Sequence, residues 1–262
     1  MTRDKISLVS EKAAVQGTAA FSKFMTILQI ISDSDELLTT AGVAKIAGLP
    51  RPTVHRIIAA LLSEGMLSEK SGGQLALGPR LISLGIRSWD RSDLRQASRQ
   101  PLEMLRDVLD ETVHLAVNSG DEMIYIDKLE SHQTVSMRSR IGTRVPLHSS
   151  SVGKAWLASL PIEEAIGIVG TLNFTTRTEH SIKDPKVLLK QLDDVREKGF
   201  SLDLEENELD ICCYGVSVIG GDAKAIACIS VSIPRYRFER AAQVAVVAKM
   251  QECAREIANL VG

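Results

Sequence analysis

At 262 residues, with 44% hydrophobic and 24% charged residues, the chain is long enough for two folded domains and apolar enough to give them hydrophobic cores. It has no apolar run of about 18 residues, the length a membrane helix needs, and no secretory leader, so it is read as a cytoplasmic protein. The net charge of −2 is uneven: residues 1–100 carry 13 Lys and Arg against 9 Asp and Glu, and the remainder 18 against 24. A basic first third on an acidic body suits nucleic-acid binding by one end.

Phe21, Phe24, Met25, Leu28 and Ile31 fall on one stripe of a 3.6-residue period, which predicts a helix over 18–32. A short helix is expected over 40–47, with Val43, Ile46 and Ala47 inward and Gly48 at its C-terminus. Val54, Ile57, Ile58, Leu61 and Leu62 repeat at the same spacing, and Pro52 is tolerable only in a first turn, so a third helix starts there and ends at Gly65. Two helices joined by a glycine-containing turn form a helix-turn-helix. Residues 65–78 then read as a hairpin around Ser71-Gly72-Gly73, the place of a wing.

Residues 81–100 read as one helix, rich in arginine, which links two domains. Pro101 is expected to restart the chain, and a further amphipathic helix carries Leu102, Leu105, Val108 and Leu109. Strands are expected at 113–118, 122–129 and 134–139, then helices over 152–160 and, behind Asp184-Pro185, up to Gly199. Two apolar strands, 211–219 and 224–233, and a helix from about 238 complete the chain. The fold class is α+β: a winged helix-turn-helix followed by an antiparallel sheet with helices packed on it. The domain boundaries read as 16–79 for DNA binding, 80–98 for the linker helix and 99–262 for a sensor.

The outward face of the third helix carries Arg51, Pro52, Thr53, His55 and Arg56. A recognition helix presents such residues to base edges and phosphates of a major groove. Thr40, opening the preceding helix, and Lys70, in the wing, are grouped with them. An ordinary surface helix is also polar outside; the preceding helix, turn and hairpin favour the DNA-binding reading.

In the second domain, Ser149-Ser150-Ser151 leads into a helix N-terminus, where free N–H groups and the helix dipole favour a carboxylate. Simple capping explains the serines equally well. Ser151-Val152-Gly153-Lys154 also spells the S-x-x-K of serine β-lactamases, but neither S-D-N nor K-T-G accompanies it, so no enzyme is expected. Strand alternation places Ile211 with Cys213 on one face, and Ser230 with Ser232 on one face of a neighbouring strand. The four cysteines, Cys212, Cys213, Cys228 and Cys253, make no C-x-x-C pair and read as buried thiols, with a redox sensor at Cys212-Cys213 as the alternative. The histidines are scattered, and no metal or other cofactor is expected.

The run 17–79, with Val43-Ala44-Lys45-Ile46-Ala47-Gly48-Leu49-Pro50, Thr53-Val54-His55-Arg56-Ile57-Ile58 and Glu64-Gly65-Met66-Leu67, resembles the DNA-binding domain of the IclR family of bacterial regulators. The resemblance continues through Glu111-Thr112-Val113-His114-Leu115, Ser139-Arg140-Ile141-Gly142, Pro146-Leu147-His148, Gly153-Lys154-Ala155, Val195-Arg196-Glu197-Lys198-Gly199, Glu205-Glu206 and Ile229-Ser230-Val231-Ser232, so it covers nearly the whole chain. Residues 124–154 are most similar to the branch that controls uronate and pectin-product catabolism.

The resemblance implies a GAF-like, profilin-like sensor and a homodimer or homotetramer on palindromic double-stranded DNA. It implies a repressor, or an activator, of a catabolic operon, controlled by a small carboxylate such as a sugar acid. It also implies an effector pocket lined by Met137, Val145, Ser151, Val152, Asp203, Ile211, Cys213, Ser230 and Ser232. Three positions depart from the family: Pro52 stands where serine is frequent, Asp210 where glycine is, and Cys212 where arginine is.

Overall fold

A computed structural model describes residues 18–134, 137, 139–238 and 242–261 of the chain. The chain divides into two compact units, Met1–Arg91 and Ser92–Gly262. The first two residues of the 16–79 segment lie outside the described residues.

The first unit contains α1 (Ala19–Ser32), β1 (Leu38–Thr39), α2 (Thr40–Ala47), α3 (Arg51–Ser63), β2 (Leu67–Lys70), β3 (Gln74–Leu77) and α4 (Pro79–Asp90). The apolar stripes of α1, α2 and α3 meet in one core built on Ile27, Ile30, Val43, Val54, Ile57, Ile58 and Leu61, closed by Leu67 and Leu75 from the hairpin. Gly48 ends α2 at φ 63°, a left-handed conformation that costs glycine nothing and lets α3 turn away. β3 sits between β2 and β1 in an antiparallel sheet. At two residues, β1 is too short to show any alternation in sequence.

The second unit contains α5 (Asp93–Leu109), β4 (Thr112–Asn118), β5 (Glu122–Leu129), β6 (Arg144–Pro146), α6 (Ser151–Ser159), α7 (Ile162–Thr171), α8 (Pro185–Lys198), β7 (Ser201–Leu204), β8 (Ile211–Ile219), β9 (Ala225–Pro234), α9 (Arg235–Phe238) and α10 (Gln243–Val261). Its six strands run in the order β6-β5-β4-β9-β8-β7, each pair antiparallel. The sheet carries a core on each face. Val113, Leu115, Tyr214, Val216, Ile229 and Val231 point toward α5 and α10, where Leu102, Leu105, Met250 and Ile257 complete that core. The opposite face packs on Val152, Ala155 and Leu157 of α6, with Ala165, Val169, Leu188 and Leu192 from α7 and α8.

Three expectations are corrected. The single helix over 81–100 is two, α4 and α5, broken at Arg91 and restarted by Ser92, whose Oγ accepts from the Arg95 N–H at 3.3 Å. Pro101 does not restart the chain but lies buried inside α5. An interior proline costs a helix about 3 kcal/mol, which burial of Ser98, Leu102 and Leu105 along the same face offsets. The strand over 134–139 is absent at Thr134, Met137 and Ser139; residues 135, 136 and 138 lie outside the described residues. Lys128 Nζ donates to the carbonyls of Met137 and Ser139 at 2.9 and 2.7 Å, occupying groups a ladder would have used. The edge strand beside β5 is instead β6, with Val145 opposite Met123.

Candidate functional site

In the first unit, Arg51, Pro52, His55 and Arg56 of α3 are exposed and Thr53 is half-buried. Thr40 is half-buried at the start of α2, and Lys70 is exposed at the end of β2. Among the described residues no carboxylate pairs with Lys45, Arg51, Arg56 or Lys70. The N–H groups of Thr53 and Val54 both donate to the Pro50 carbonyl, at 2.9 and 3.1 Å, and Pro52 has none to give. The start of α3 therefore has little backbone to offer an anion. Lys45, missed in sequence, joins Arg51 around a shallow depression with Ala41, Gly42, Ala44 and Leu49. Its exposure on the short helix α2, ahead of the turn, was the available signal.

The second unit holds a cavity of ≈ 290 Å³. Met137, Val145, Ser151, Asp203, Ile211, Cys213 and Ser232 all line it. These seven come from β6, α6, β7, β8, β9 and the segment before β6. Alternation explains the strand residues: with Tyr214 and Val231 turned to the α5 core, Ile211, Cys213 and Ser232 turn the other way. Val152 is buried in the α6 core and does not line the cavity. Ser230 lies one step behind, with its Oγ 3.4 Å from His114 Nδ1.

Ser150, from the serine turn singled out in sequence, also lines the cavity, while sequence reasoning missed His114, Tyr125, Ser139, Thr143, Arg177, Asn207 and Glu208. His114 and Tyr125 stack at 4.3 Å between ring centroids. Burial, and secondarily Lys128, push the His114 imidazole down to about 3, so it stays neutral, with Nε2 2.7 Å from Ser139 Oγ. Their alternation on β4 and β5 was readable, but an irregularity between Leu115 and Ala116 shifts the register there. Arg177, Asn207 and Glu208 sit on loops without periodicity.

The α6 N-terminus is fixed from several sides. Ser150 Oγ accepts from Gly153 N at 3.1 Å and donates to the Pro146 carbonyl at 2.6 Å. Ser201 Oγ donates to the Ser151 carbonyl at 2.6 Å. A Cβ at Gly153 would lie 2.5 Å from Leu147 Cα, so only glycine lets these segments touch. Lys154, 1% exposed, makes a buried ion pair with Glu206 Oε1 at 2.7 Å and reaches Gln191 Oε1 at 3.0 Å, so it is committed to structure.

Asp203 Oδ1 accepts from the N–H groups of Glu206 and Asn207, at 2.8 and 3.3 Å, which shapes the loop after β7. Burial raises its carboxyl from 3.8 to about 7, against the opposing pull of Lys154. A carboxyl raised in the folded state stabilises that state when protonated. The contribution is complete below about pH 4, the unfolded value, and is lost as pH rises through about 7. The urea midpoint of the second unit is therefore expected to fall between pH 5 and pH 8, and Asp203→Asn should flatten that slope; an equal slope in both proteins would show that another group titrates.

All four thiols are buried. Burial pushes the Cys212 thiol up to about 11 and raises that of Cys213 well above its ordinary value, so both stay protonated, poor nucleophiles at neutral pH.

Residues 21–71 match the family described as the IclR helix-turn-helix domain, and residues 86–259 the one described as bacterial transcriptional regulator IclR C-terminal. The HTH-type transcriptional regulator KdgR of Dickeya chrysanthemi is 32% identical over 241 residues, 92% of this chain and 79% of that protein. The crystal structure of the Thermotoga maritima IclR superposes with a TM-score of 0.69 at 28% identity, over 92% of this chain and 98% of that one. An IclR homologue from Microbacterium hydrocarbonoxydans, complexed with 4-hydroxybenzoate, shares the fold at a TM-score of 0.72 and 23% identity, over 93% and 99% of the two chains.

Proposed function

The chain belongs to the IclR family of bacterial transcriptional regulators, and from that membership we propose that it represses a catabolic operon in the cytoplasm under the control of a small organic acid. It acts as a homodimer or homotetramer on a palindromic operator. Arg51, Thr53, His55 and Arg56 of α3 read the major groove, Thr40 and Lys70 contact the backbone, and Pro52 sets the first turn. The acid binds in the second unit, and it changes DNA affinity only as far as it prefers one arrangement of the chain over another.

One observation carries the sensor half of this reading: residues distant in sequence, apolar and polar, converge on one cavity at the N-terminus of α6. The first turn of a helix leaves N–H groups without helical partners, and the helix dipole favours an anion there. A cavity of ≈ 290 Å³ suits a molecule of several carbon atoms. The 4-hydroxybenzoate complex of the Microbacterium homologue supports an acid as the ligand class. No helix among the described residues is long and apolar enough to cross a membrane.

Ser151→Ala and Ser232→Ala test the assignment, since both side chains line the cavity. Each should weaken binding of the acid that shifts operator affinity by about tenfold, the worth of one hydrogen bond, and leave acid-free DNA binding intact. Calorimetry showing full affinity in both variants would remove these residues from the site.

A further inference from the structure

Strand β5 carries two neighbouring charged residues that face opposite ways. Leu115 of β4 lies opposite Asp127, yet Ala116 lies opposite Tyr125, so one step on β4 spans two on β5 and Ile126 is the extra residue. Such a bulge re-aims the side chains beyond it. Asp127, across the ladder from Leu115, turns to the α5 side of the sheet and is 1% exposed. Lys128, across from His114, turns to the cavity side, where its own side chain is largely enclosed.

Each of the two holds a different part of the second unit. Lys128 Nζ donates to the carbonyls of Met137 and Ser139 and, at 2.8 Å, to Glu130 Oε1. Met137 and Ser139 line the cavity, so the ammonium stands in for a ladder at this wall. Asp127 instead meets α5: its Oδ2 lies 3.5 Å from Arg95 Nε and its Oδ1 3.5 Å from Arg99 Nη1. α5 is the helix that opens the second unit, which begins at Ser92 where the first ends at Arg91.

The two residues also bond to one another. The Lys128 N–H donates to Asp127 Oδ1 at 2.9 Å, so this oxygen is shared between the Lys128 backbone and Arg99, and the backbone holds the nearer position. A charge-assisted bond from an N–H to a carboxylate closes to about 2.7–2.9 Å, and by that measure both arginine contacts are open. Arg99 Nε closes on Glu103 instead, at 2.6 Å. Among the described residues Asp127 Oδ2 accepts no hydrogen bond. The carboxylate therefore has two arrangements open to it. In one, seen here, Oδ1 stays on the Lys128 N–H and α5 is held loosely. In the other it turns to the two arginines and draws α5 in.

We propose that Asp127 and Lys128 act together as positioning residues that couple this cavity wall to the start of α5. A shift of Met137 and Ser139 moves Lys128, its N–H releases or retakes Asp127, and Arg95 and Arg99 follow. The coupling carries the state of the cavity to the helix that opens the unit, and for that purpose alone it rests on the reading of the unit as a sensor.

Amide hydrogen exchange of the full-length chain, with neither ligand nor DNA added, tests it. Lys128→Met frees the wall, and exchange at residues 139–143 should rise about tenfold or more, the worth of a hydrogen bond to a charged group. With Lys128 released, Asp127 turns to the arginines, so exchange at residues 96–100 of α5 should slow by about threefold or more. A merely structural role for Lys128 would speed exchange or leave α5 as it was; either result overturns the coupling. In an Asp127→Asn background the same Lys128→Met change should leave α5 unmoved, and slowing that persists there removes Asp127 from the route. If the urea midpoint shows that Lys128→Met does not fold, Lys128→Gln removes the charge and is read in the same way. Failure on any of these counts leaves the sensor reading standing, because that reading is tested separately by the serine variants.

Discussion

A chain carrying Arg51→Ala and Arg56→Ala is expected to lose at least about thirtyfold in operator affinity at fixed salt, since each arginine that reads a base contributes roughly 1–3 kcal/mol. The loss is expected to be large because α3 has no substitute. Pro52 lacks an N–H, and those of Thr53 and Val54 are already taken by Pro50. Both arginines are exposed, so the melting temperature should not move. Mobility-shift titrations at several salt concentrations separate two roles. A lost phosphate contact flattens the dependence of log K on log salt, whereas a lost base contact relaxes sequence preference and leaves that slope in place. Affinity within twofold of wild type would remove α3 as the recognition helix.

The second large effect concerns stability. Lys154→Met should destabilise the second unit by about 3–5 kcal/mol, the usual result of removing one partner from a buried ion pair. The lysine is fully enclosed, and its ammonium answers Glu206 inside the same unit. Without it Glu206 remains buried, and burial already raises its carboxyl above the ordinary range. It would bind a proton at the expense of stability near neutral pH. Lys154→Met with Glu206→Gln removes the stranded charge and should recover most of the loss. Urea unfolding of the three proteins checks this, and a single variant as stable as wild type would contradict the pairing. Because Glu206 adjoins Asn207, the single variant should also weaken acid binding through the loop it disturbs.

The helices of the first unit were legible because each buries one face, and a single face at 3.6-residue spacing is visible in sequence. The same logic placed Ile211 with Cys213, and Ser230 with Ser232, on common strand faces. It failed where tertiary contact overrules local preference. Pro101 reads as a breaker but is carried inside α5 by a buried face. Lys128 draws the carbonyls of residues 137 and 139 out of a ladder. Helix α7 has Ala165 and Val169 at helical spacing behind Pro161 and two glutamates, a signal present but not used. The cavity was half legible for a different reason. Its strand and helix residues obey periodicity or the family resemblance. Arg177 and Asn207 stand on loops fixed by Thr178, Ser181 and Asp203, and nothing in the neighbouring sequence marks them as facing inward.

The most direct test of the account is selection of fragmented genomic DNA from the source organism by the full-length chain, followed by sequencing of what is bound. The account predicts that a few fragments are enriched, that they share an inverted repeat with half-sites about one helical turn apart, and that Arg51→Ala with Arg56→Ala abolishes the enrichment. No enriched sequence, or the same fragments recovered by the double variant, would contradict it.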